Sequence, residues 1–238
     1  MRFILVMSGK GGVGKSTCAA NLAREIAAEK GKCGLLDLDL TGPSIPTLFG
    51  IQSSSVKNHN GKMVPVCVDG VEIISLGLML GSKDEAVIWR GPRKNGMIQS
   101  FFSMIEWSTD TVVIDFPPGT SDEHLSTISI LRQNRQEFKA IVVTTPSPLA
   151  MADVRKCLDM CRKVGVPVVG SIENFSGVMC PCCGEITRAF GDSPGDKLPI
   201  PVLCKIPFYP EVAAASDLGK RGELILPLFK PIIEKINL

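Results

Sequence analysis

Residues 9–16 read GKGGVGKS, which satisfies the pattern G-x-x-x-x-G-K-[ST] of a phosphate-binding loop. The loop follows a β-branched run at residues 2–7 and opens an amphipathic stretch at 15–29, so its context is strand, loop and helix. Glycines allow backbone N–H groups to converge on phosphate oxygens, and the helix N-terminus adds its positive end. In such a loop Lys15 reaches the β- and γ-phosphates, while Ser16 can bind Mg²⁺. The predicted nucleotide-binding residues of this stretch are Gly9, Lys10, Gly11, Gly12, Val13, Gly14, Lys15, Ser16 and Thr17.

Beyond the loop, short apolar runs alternate with longer amphipathic stretches, a pattern typical of a parallel sheet with helical crossovers. The predicted strands are residues 2–7, 33–38, 71–75, 111–115, 139–145, 166–173 and 201–205. The predicted helices are residues 15–29, 95–105, 121–135, 149–164 and a stretch after 211. Two turn-rich segments, 52–70 and 175–199, interrupt the rhythm. We expect one α/β domain over residues 1–238, with a mostly parallel sheet flanked by helices and a cysteine-bearing insertion at about 175–199.

Composition excludes several classes of function. The 238 residues carry 26 Lys+Arg against 24 Asp+Glu, and this net charge of +2 argues against binding nucleic acid through bulk charge. Hydrophobic residues make up 45%, which suits one sizeable core and not a disordered chain. No apolar run reaches the roughly 18 residues of a membrane span. With nine cysteines and no signal peptide, we expect reduced thiols in a cytoplasmic protein.

Carboxylates follow two of the predicted strands. Asp37 and Asp39 end one strand in the sequence DLD, and Asp115 ends another in VVID before PPGTSD. Ligands of parallel sheets bind at the carboxyl ends of the strands, so these side chains are expected near the phosphates. Hydrolysis of a phosphate ester needs a metal to neutralise charge and a group to orient water, and carboxylates can serve both purposes.

Three of the nine cysteines lie together in CPCC, at Cys180, Cys182 and Cys183. C-x-x-C spacing places two thiolates on one metal centre, whereas a tetrahedral zinc or an iron-sulfur cubane usually needs four ligands. The chain has no second C-x-x-C, but a symmetric dimer would supply the missing pair from its mate. Thiolate ligands suit both zinc and iron-sulfur clusters, so a zinc site at the same dimer interface is an open alternative. The other six cysteines are expected to be inert packing residues: Cys18, Cys33, Cys67, Cys157, Cys161 and Cys204.

Six segments together resemble one family. They are GKGGVGKST at 9–17, DLDLTGPSIP at 37–46, WRGPRKNG at 89–96, DFPPGTSDEHL at 115–125, ENFSG at 173–177 and CPCCG at 180–184. The chain resembles the Mrp/ApbC/NUBP-type P-loop ATPases that carry iron-sulfur clusters. These belong to the MinD/ParA superfamily, whose deviant Walker A loop has an extra lysine, here Lys10. ParA and MinD share the ATPase segments but lack the W-R-G-P and cysteine motifs.

The resemblance implies a set of ligands and residue roles. The ligands are ATP, Mg²⁺ and a [4Fe-4S] cluster bridged by two subunits. Lys10 would reach the nucleotide of the second subunit, Asp39 would orient the attacking water, and Gly119 would sense the γ-phosphate. The implied catalytic residues are Asp39, Lys10 and Lys15; the adenine contacts are Asn174 and Pro207; the Mg²⁺ contacts are Ser16, Asp37 and Asp115; the cluster ligands are Cys180 and Cys183. Cys182 departs from the family pattern and leaves an alternative pairing open.

The implied function is a slow ATPase that assembles the cluster at a dimer interface and transfers it to apo iron-sulfur proteins. The dimer would be a homodimer or a heterodimer with a longer relative, since this chain looks like the short form without an N-terminal four-cysteine extension. We expect no nucleic-acid or membrane partner. Two alternatives stay open: a ParA/MinD-like positioning ATPase acting on DNA or membrane, and a zinc-bridged ATPase dimer. The membrane alternative needs a free amphipathic helix at 224–238, but Pro227 and Pro231 interrupt that stretch, which a helix packed on the sheet edge also explains.

Overall fold

The apolar runs form strands of one sheet because most are apolar on both faces and are covered by helices on both sides. The computed structural model describes residues 1–39, 42–79, 91–188, 198–220, 223 and 225–236, with the backbone alone at 91–93. The strands are β1 (Arg2–Ser8), β2 (Cys33–Asp37), β3 (Lys57–His59), β4 (Lys62–Val64), β5 (Val66–Val68), β6 (Val71–Ser75), β7 (Thr111–Asp115), β8 (Glu137–Thr144), β9 (Val168–Met179), β10 (Ile186–Thr187) and β11 (Val202–Phe208). The helices are α1 (Lys15–Lys30), α2 (Ile45–Leu48), α3 (Gly91–Met104), α4 (Asp122–Gln133), α5 (Pro148–Lys163), α6 (Pro210–Asp217) and α7 (Lys230–Ile236).

The main sheet has the strand order β10-β9-β8-β1-β7-β2-β6-β5, and β11 also pairs with β9. Pairing is parallel except for β5 and β10, which run antiparallel to their neighbours. The predicted α/β fold with a mostly parallel sheet is therefore confirmed. Its central strands β1, β7 and β2 end side by side, with Val6 and Asp37 both paired to Asp115. This register brings the loop after β1 and the two buried carboxylates to one edge of the sheet.

Helices cover both faces of the sheet, and each face has its own hydrophobic core. One core packs α1, α6 and α7 against Ile4, Val6 and Leu35; the other packs α3, α4 and α5 against Phe3 and Leu5. The C-terminal apolar side chains Phe229, Ile232, Ile233 and Ile236 lie in the first core. The described part of that stretch, residues 225–236, therefore packs its apolar side chains on the sheet. Among the described residues, no helix has the length and apolarity to cross a membrane.

The sequence pattern predicts turns but no strand in the segment 52–70, and the absence of strands is wrong. It contains the β3-β4 hairpin and β5, which pairs with β6. Both hairpin turns have left-handed residues, at Asn60-Gly61 and at Asp69-Gly70. Asn-Gly and Asp-Gly are the preferred two-residue turns of β-hairpins because both positions need positive φ. The signal was thus present in the sequence.

The predicted insertion at about 175–199 begins inside the sheet. β9 continues to Met179, so residues 175–179 are strand, and residues 186–187 pair back on it. Residues 189–197 lie outside the described part of the chain, as do Thr41, Trp89 and Arg90 of the family motifs. The single-domain boundary at 1–238 stays a prediction.

Candidate functional site

The phosphate-binding loop turns sharply between β1 and α1. Gly12 and Gly14 have φ values of +77° and +80°, a backbone region that glycine occupies without strain. The loop borders a cavity of about 240 Å³ at the carboxyl edge of the sheet. The structure thereby brings predicted loop residues together with an acid and a proline from two other segments. The lining residues are Gly11, Gly12, Gly14, Lys15, Ser16, Thr17, Asp39, Ser44, Leu48 and Pro118.

Two predicted loop residues have structural neighbours that the sequence did not reveal. A Cβ on Gly9 would lie 2.4 Å from the carbonyl carbon of Asp153, so Gly9 lets the loop pack against the backbone of α5. Val13 is buried, and its carbonyl oxygen accepts a hydrogen bond of 2.9 Å from Nδ2 of Asn174 in β9. Lys10 is half-buried at the loop tip.

Lys15 links the loop to the strand-end carboxylate of β7. Its Nζ lies 2.6 Å from Oδ1 of Asp115 and also donates to Oγ of Ser16 at 3.3 Å. Asp115 is completely buried, and its second oxygen, Oδ2, has no hydrogen-bond partner among the described residues. A buried carboxylate oxygen beside a serine hydroxyl is the oxygen donor set that Mg²⁺ prefers. The residues present therefore fit a magnesium ion.

Asp37 is buried beneath the same edge. Ser75 donates to its Oδ2 at 2.8 Å, and the backbone N–H of Asp39 donates to its Oδ1 at 3.0 Å. Burial, reinforced by the charge of Asp115, raises the pKa of Asp37 to about 8 despite these hydrogen bonds and the charge of Lys15. Burial also raises the pKa of Asp115, while Lys15 opposes that rise. Ionising both of these buried carboxyl groups requires nearby positive charge, which Lys15 supplies in part and Mg²⁺ would supply more fully.

Asp37→Asn is expected to stabilise the protein at high pH in the absence of nucleotide. The raised pKa of Asp37 means that the folded chain holds this proton more tightly than the unfolded chain, whose carboxyl titrates near ~3.9. The contribution of Asp37 to stability is therefore fully present below about pH 4 and is lost as pH rises through about 8. Asparagine stays neutral: its Oδ1 can still accept from the N–H of Asp39, and its Nδ2 can donate to the hydroxyl of Ser75 in place of the bond that Ser75 donates to Asp37.

Thermal unfolding without nucleotide checks this expectation. The difference in midpoint temperature, variant minus wild type, should become more positive between about pH 6 and about pH 9. Asp110→Asn, an exposed carboxyl outside the site, is the control and should show no such divergence. A constant difference at both pH values would contradict the assignment.

Asp39 lies at the wall of the loop cavity instead of beneath it. β2 ends at Asp37, and the backbone then turns so that Oδ1 of Asp39 accepts from the N–H of Gly42 at 3.2 Å. Asp39 is half-buried, and its charge contributes to the raised pKa of Asp115. A carboxylate at the cavity wall can contact a water molecule that approaches bound phosphates.

A second cavity of about 190 Å³ adjoins the loop through Thr17. It contains both residues predicted to contact adenine, Asn174 and Pro207. Asn174 lies within β9 and not after a strand as predicted, because β9 runs past it. The next residue, Phe175, has a φ of +56°, and its ring meets that of Phe208 edge-on at 5.9 Å between centroids. Sequence reasoning missed these two rings, although each is within a residue of a predicted contact.

The predicted cluster cysteines lie in the turn that joins β9 to β10. The N–H of Cys180 donates to the carbonyl of Glu185 at 2.8 Å, and the N–H of Gly184 donates to the carbonyl of Cys180 at 2.9 Å. Gly184 has a φ of +75°, which closes the turn. Backbone N–H groups of Cys183 and then Cys182 point at the sulfur of Cys180 and lower its pKa. This arrangement favours the thiolate, the form that binds metals.

The thiols of Cys182 and Cys183 are exposed, and that of Cys180 is half-buried. Among the described residues, no group of three or more His, Cys, Asp or Glu side chains is placed to hold a metal ion. The turn therefore offers two cysteines, Cys180 and Cys183, which fit half of a four-ligand centre.

Most of the remaining cysteines are packing residues, as predicted. Cys18, Cys33, Cys157 and Cys161 are buried, and burial raises the pKa of the thiols of Cys18 and Cys33. Burial also raises the pKa of Cys204 to about 12. For Cys67 the prediction is wrong, because the thiol is exposed on β5 at the edge of the sheet.

Comparisons with known proteins agree on one family. A family model described as "ParA: NUBPL iron-transfer P-loop NTPase" matches residues 1–230. The cytosolic Fe-S cluster assembly factor CFD1 of Yarrowia lipolytica is 44% identical over 227 residues, which cover 92% of this chain and 78% of that protein. The cytosolic Fe-S cluster assembly factor NUBP2 of Gallus gallus is 42% identical over 225 residues, 91% of this chain and 82% of that one. A nucleotide-binding protein of Archaeoglobus fulgidus, solved in complex with ADP and with cobalt found in it, superposes with a TM-score of 0.77 at 35% identity and covers 92% of this chain and 86% of its own.

Proposed function

Because the chain belongs to the NUBPL iron-transfer P-loop NTPase family, we propose that it hydrolyses ATP with Mg²⁺ and assembles a [4Fe-4S] cluster for transfer to apo-proteins. One observation carries this proposal: a single strand connects the two chemistries. β9 contains Asn174, which is bonded to the phosphate-binding loop through Val13, and the same strand ends one residue before Cys180. A change in the loop can therefore reach the cysteine turn through one hydrogen bond and the last residues of β9.

The phosphate chemistry follows from the loop cavity. Lys15 can exchange Asp115 for the β- and γ-phosphates, and this leaves Asp115 and Ser16 to hold Mg²⁺, with Asp37 nearby. Bound Mg²⁺ would neutralise developing charge on the transferred phosphoryl group. Asp39 at the cavity wall orients the attacking water, and Lys10 at the loop tip reaches the phosphates of a facing subunit.

The base cavity favours adenine over guanine. One N–H of Nδ2 of Asn174 donates to the carbonyl of Val13, and this bond orients the amide so that its oxygen is available to accept from a base. An oxygen acceptor can bind the exocyclic amino group of adenine, whereas guanine presents a carbonyl oxygen at that position and would be repelled. Phe175, Phe208 and Pro207 supply apolar walls for the ring.

Asn174→Ala is expected to weaken ATP binding roughly tenfold and to reduce the preference for ATP over GTP, because both the amide oxygen and the tether to Val13 are lost. Titration with fluorescent ATP and GTP analogues checks both effects. Asn134→Ala, at the C-terminal end of α4, is a matched control and should leave both affinities unchanged. Equal weakening of ATP and GTP would contradict the role in base selection.

A pair of subunits completes the thiolate site. Each chain supplies Cys180 and Cys183, and the β9-β10 turn stands at the same end of the sheet as the nucleotide site, where a facing copy would meet it. Dimerisation across ATP would then bring two pairs of thiolates together around one cluster. The partner is a second copy or a longer relative, the recipients are apo iron-sulfur proteins, and the compartment is the cytosol named for the relatives.

Anaerobic cluster transfer tests the function. Protein loaded with iron and sulfide is mixed with an apo iron-sulfur enzyme, with and without ATP, and the enzyme's recovery of activity is followed. We expect recovery that depends on both the loaded cluster and hydrolysable nucleotide. Protein that binds zinc in preference to iron and sulfide, or that yields no active enzyme, would overturn the proposal.

A further inference from the structure

The first turn of α3 carries the end of the WRGPRKNG segment, which the nucleotide chemistry above leaves without a role. Nζ of Lys94 donates to Oε1 of Glu123 at 2.7 Å, and Oγ of Ser126 donates to Oδ1 of Asn95 at 2.8 Å. Glu123 and Ser126 are three residues apart on α4, so they share a face of that helix. Two adjacent residues of α3 thus bind two residues on one face of α4. We call these two bonds the α3-α4 clamp.

The clamp is shielded from solvent. Glu123 is 5% exposed and the Lys94 side chain is 24% exposed. Burial alone would raise the pKa of Glu123, but hydrogen bonds from Lys94, from Ser121 and from its own backbone amide outweigh burial and lower it. Glu123 is therefore ionised at neutral pH and holds Lys94 by a charge-assisted hydrogen bond.

Apolar contacts already pack the two helices together. Ile98 and Phe101 of α3 and Ile128 and Leu131 of α4 are buried in the same core cluster. Shielded ion pairs contribute little net stability because desolvation offsets the attraction, but they do fix one geometry. The clamp is thus better suited to setting the position of the first turns than to holding the fold.

The start of α4 is also the end of the switch loop, residues 116–121. The middle of the loop is anchored on β1, where the N–H of Gly119 donates to the carbonyl of Ser8 at 2.9 Å. Pro118 of this loop lines the loop cavity between β1 and α1. Ser121 is held at the start of α4 by Nδ1 of His124, which accepts its backbone N–H at 3.2 Å. A shift of the switch loop at Ser121 must therefore either move the first turn of α4 or break the bond between Ser121 and His124.

The geometry points to Lys94 and Asn95 as positioning residues for the switch loop. They hold the first turn of α4 so that the switch loop stays in place at the loop cavity. They also transmit a shift of the switch loop to α3. The assignment rests on the nucleotide hydrolysis proposed above. It gives the KNG end of the family segment a function within one subunit.

Steady-state kinetics of ATP hydrolysis test the positioning role. Lys94→Ala, Glu123→Gln and the double variant should each lower kcat roughly tenfold with little change in KM, and the double variant should be no worse than either single one. Lys156→Ala is the control, since its 3.2 Å pair with Asp153 is a similar ion pair on the exposed side of α5. Unchanged kcat in Lys94→Ala, or losses that multiply in the double variant, would overturn the role.

Amide hydrogen exchange tests the coupling without relying on hydrolysis. Adding a non-hydrolysable ATP analogue to wild type should slow exchange in the first turns of both α4 and α3, whereas in Lys94→Ala only α4 should respond. Asn95→Ala serves if Lys94→Ala fails to fold. Joint protection in both variants would overturn the coupling. If wild type binds ATP without hydrolysing it, the proposed function fails, but hydrogen exchange still shows whether Lys94 couples α4 to α3.

Discussion

Replacing Cys180 and Cys183 with serine is expected to abolish cluster binding while leaving nucleotide binding intact. Both side chains lie in a turn that points two of its N–H groups at one sulfur and so stabilises a thiolate. Serine keeps the size of the side chain but removes the soft ligand that iron-sulfur clusters require. Iron and sulfide content after anaerobic reconstitution, with absorbance of the cluster, should fall to background. Each single variant should lose most of the cluster as well.

Two other exposed thiols provide matched controls for this result. Cys182→Ser removes the third thiol of the same turn, and Cys67→Ser removes an exposed thiol on the sheet edge. Both should retain the cluster. Loss of the cluster in Cys182→Ser with retention in Cys183→Ser would show that the pairing has been assigned wrongly. Retention in the double variant would rule out the turn as the cluster site.

Asp39→Asn is expected to lower the rate of ATP hydrolysis at saturating ATP by about a hundredfold or more. The carboxylate lies at the wall of the loop cavity, and asparagine is nearly the same shape but cannot accept a proton. The contact with the N–H of Gly42 can be kept by the amide oxygen. The affinity for ATP should therefore change only slightly, because the side chain acts on water and not on the phosphates.

Phosphate release under single-turnover conditions, combined with ATP titration, separates these effects. Asp110→Asn again serves as the distant control and should hydrolyse ATP at the wild-type rate. A variant at Asp39 with normal hydrolysis would remove Asp39 from the reaction. A variant that loses affinity and hydrolysis together would show that the residue supports the loop instead of the chemistry.

The parts of the fold that could be predicted are those with a strong local signal. The loop at 9–16 predicts both its own turn and the strand and helix around it, and continuous apolar runs predict the central parallel strands. The β3-β4 and β5-β6 hairpins were missed although Asn60-Gly61 and Asp69-Gly70 mark both turns, because the polar character of the segment hid its short strands. The end of β9 was missed because its strand partners lie later in the chain: β11 pairs with Asn174 and Val178, and β10 pairs with Val178 and Met179.

Residues of the candidate site could be predicted where they belong to a sequence motif. Contacts between segments that are distant in the sequence could not be predicted. The loop glycines and the three aspartates could be found from spacing. By contrast, the need for glycine at position 9 comes from the backbone of α5, and the tether from Asn174 to Val13 joins residues far apart in sequence. The Lys94–Glu123 bond likewise joins two motifs that are separate in the chain. Such contacts are created by tertiary packing, which patterns in a single sequence do not reveal.

Native mass spectrometry of anaerobically reconstituted protein decides whether two chains share one cluster. We expect a complex of two chains with the mass of one [4Fe-4S] cluster, present in wild type and absent when Cys180 and Cys183 are both serine. ATP should favour this complex over the single chain. A single chain that holds a complete cluster alone, or a dimer whose bound metal is zinc without sulfide, would contradict this expectation.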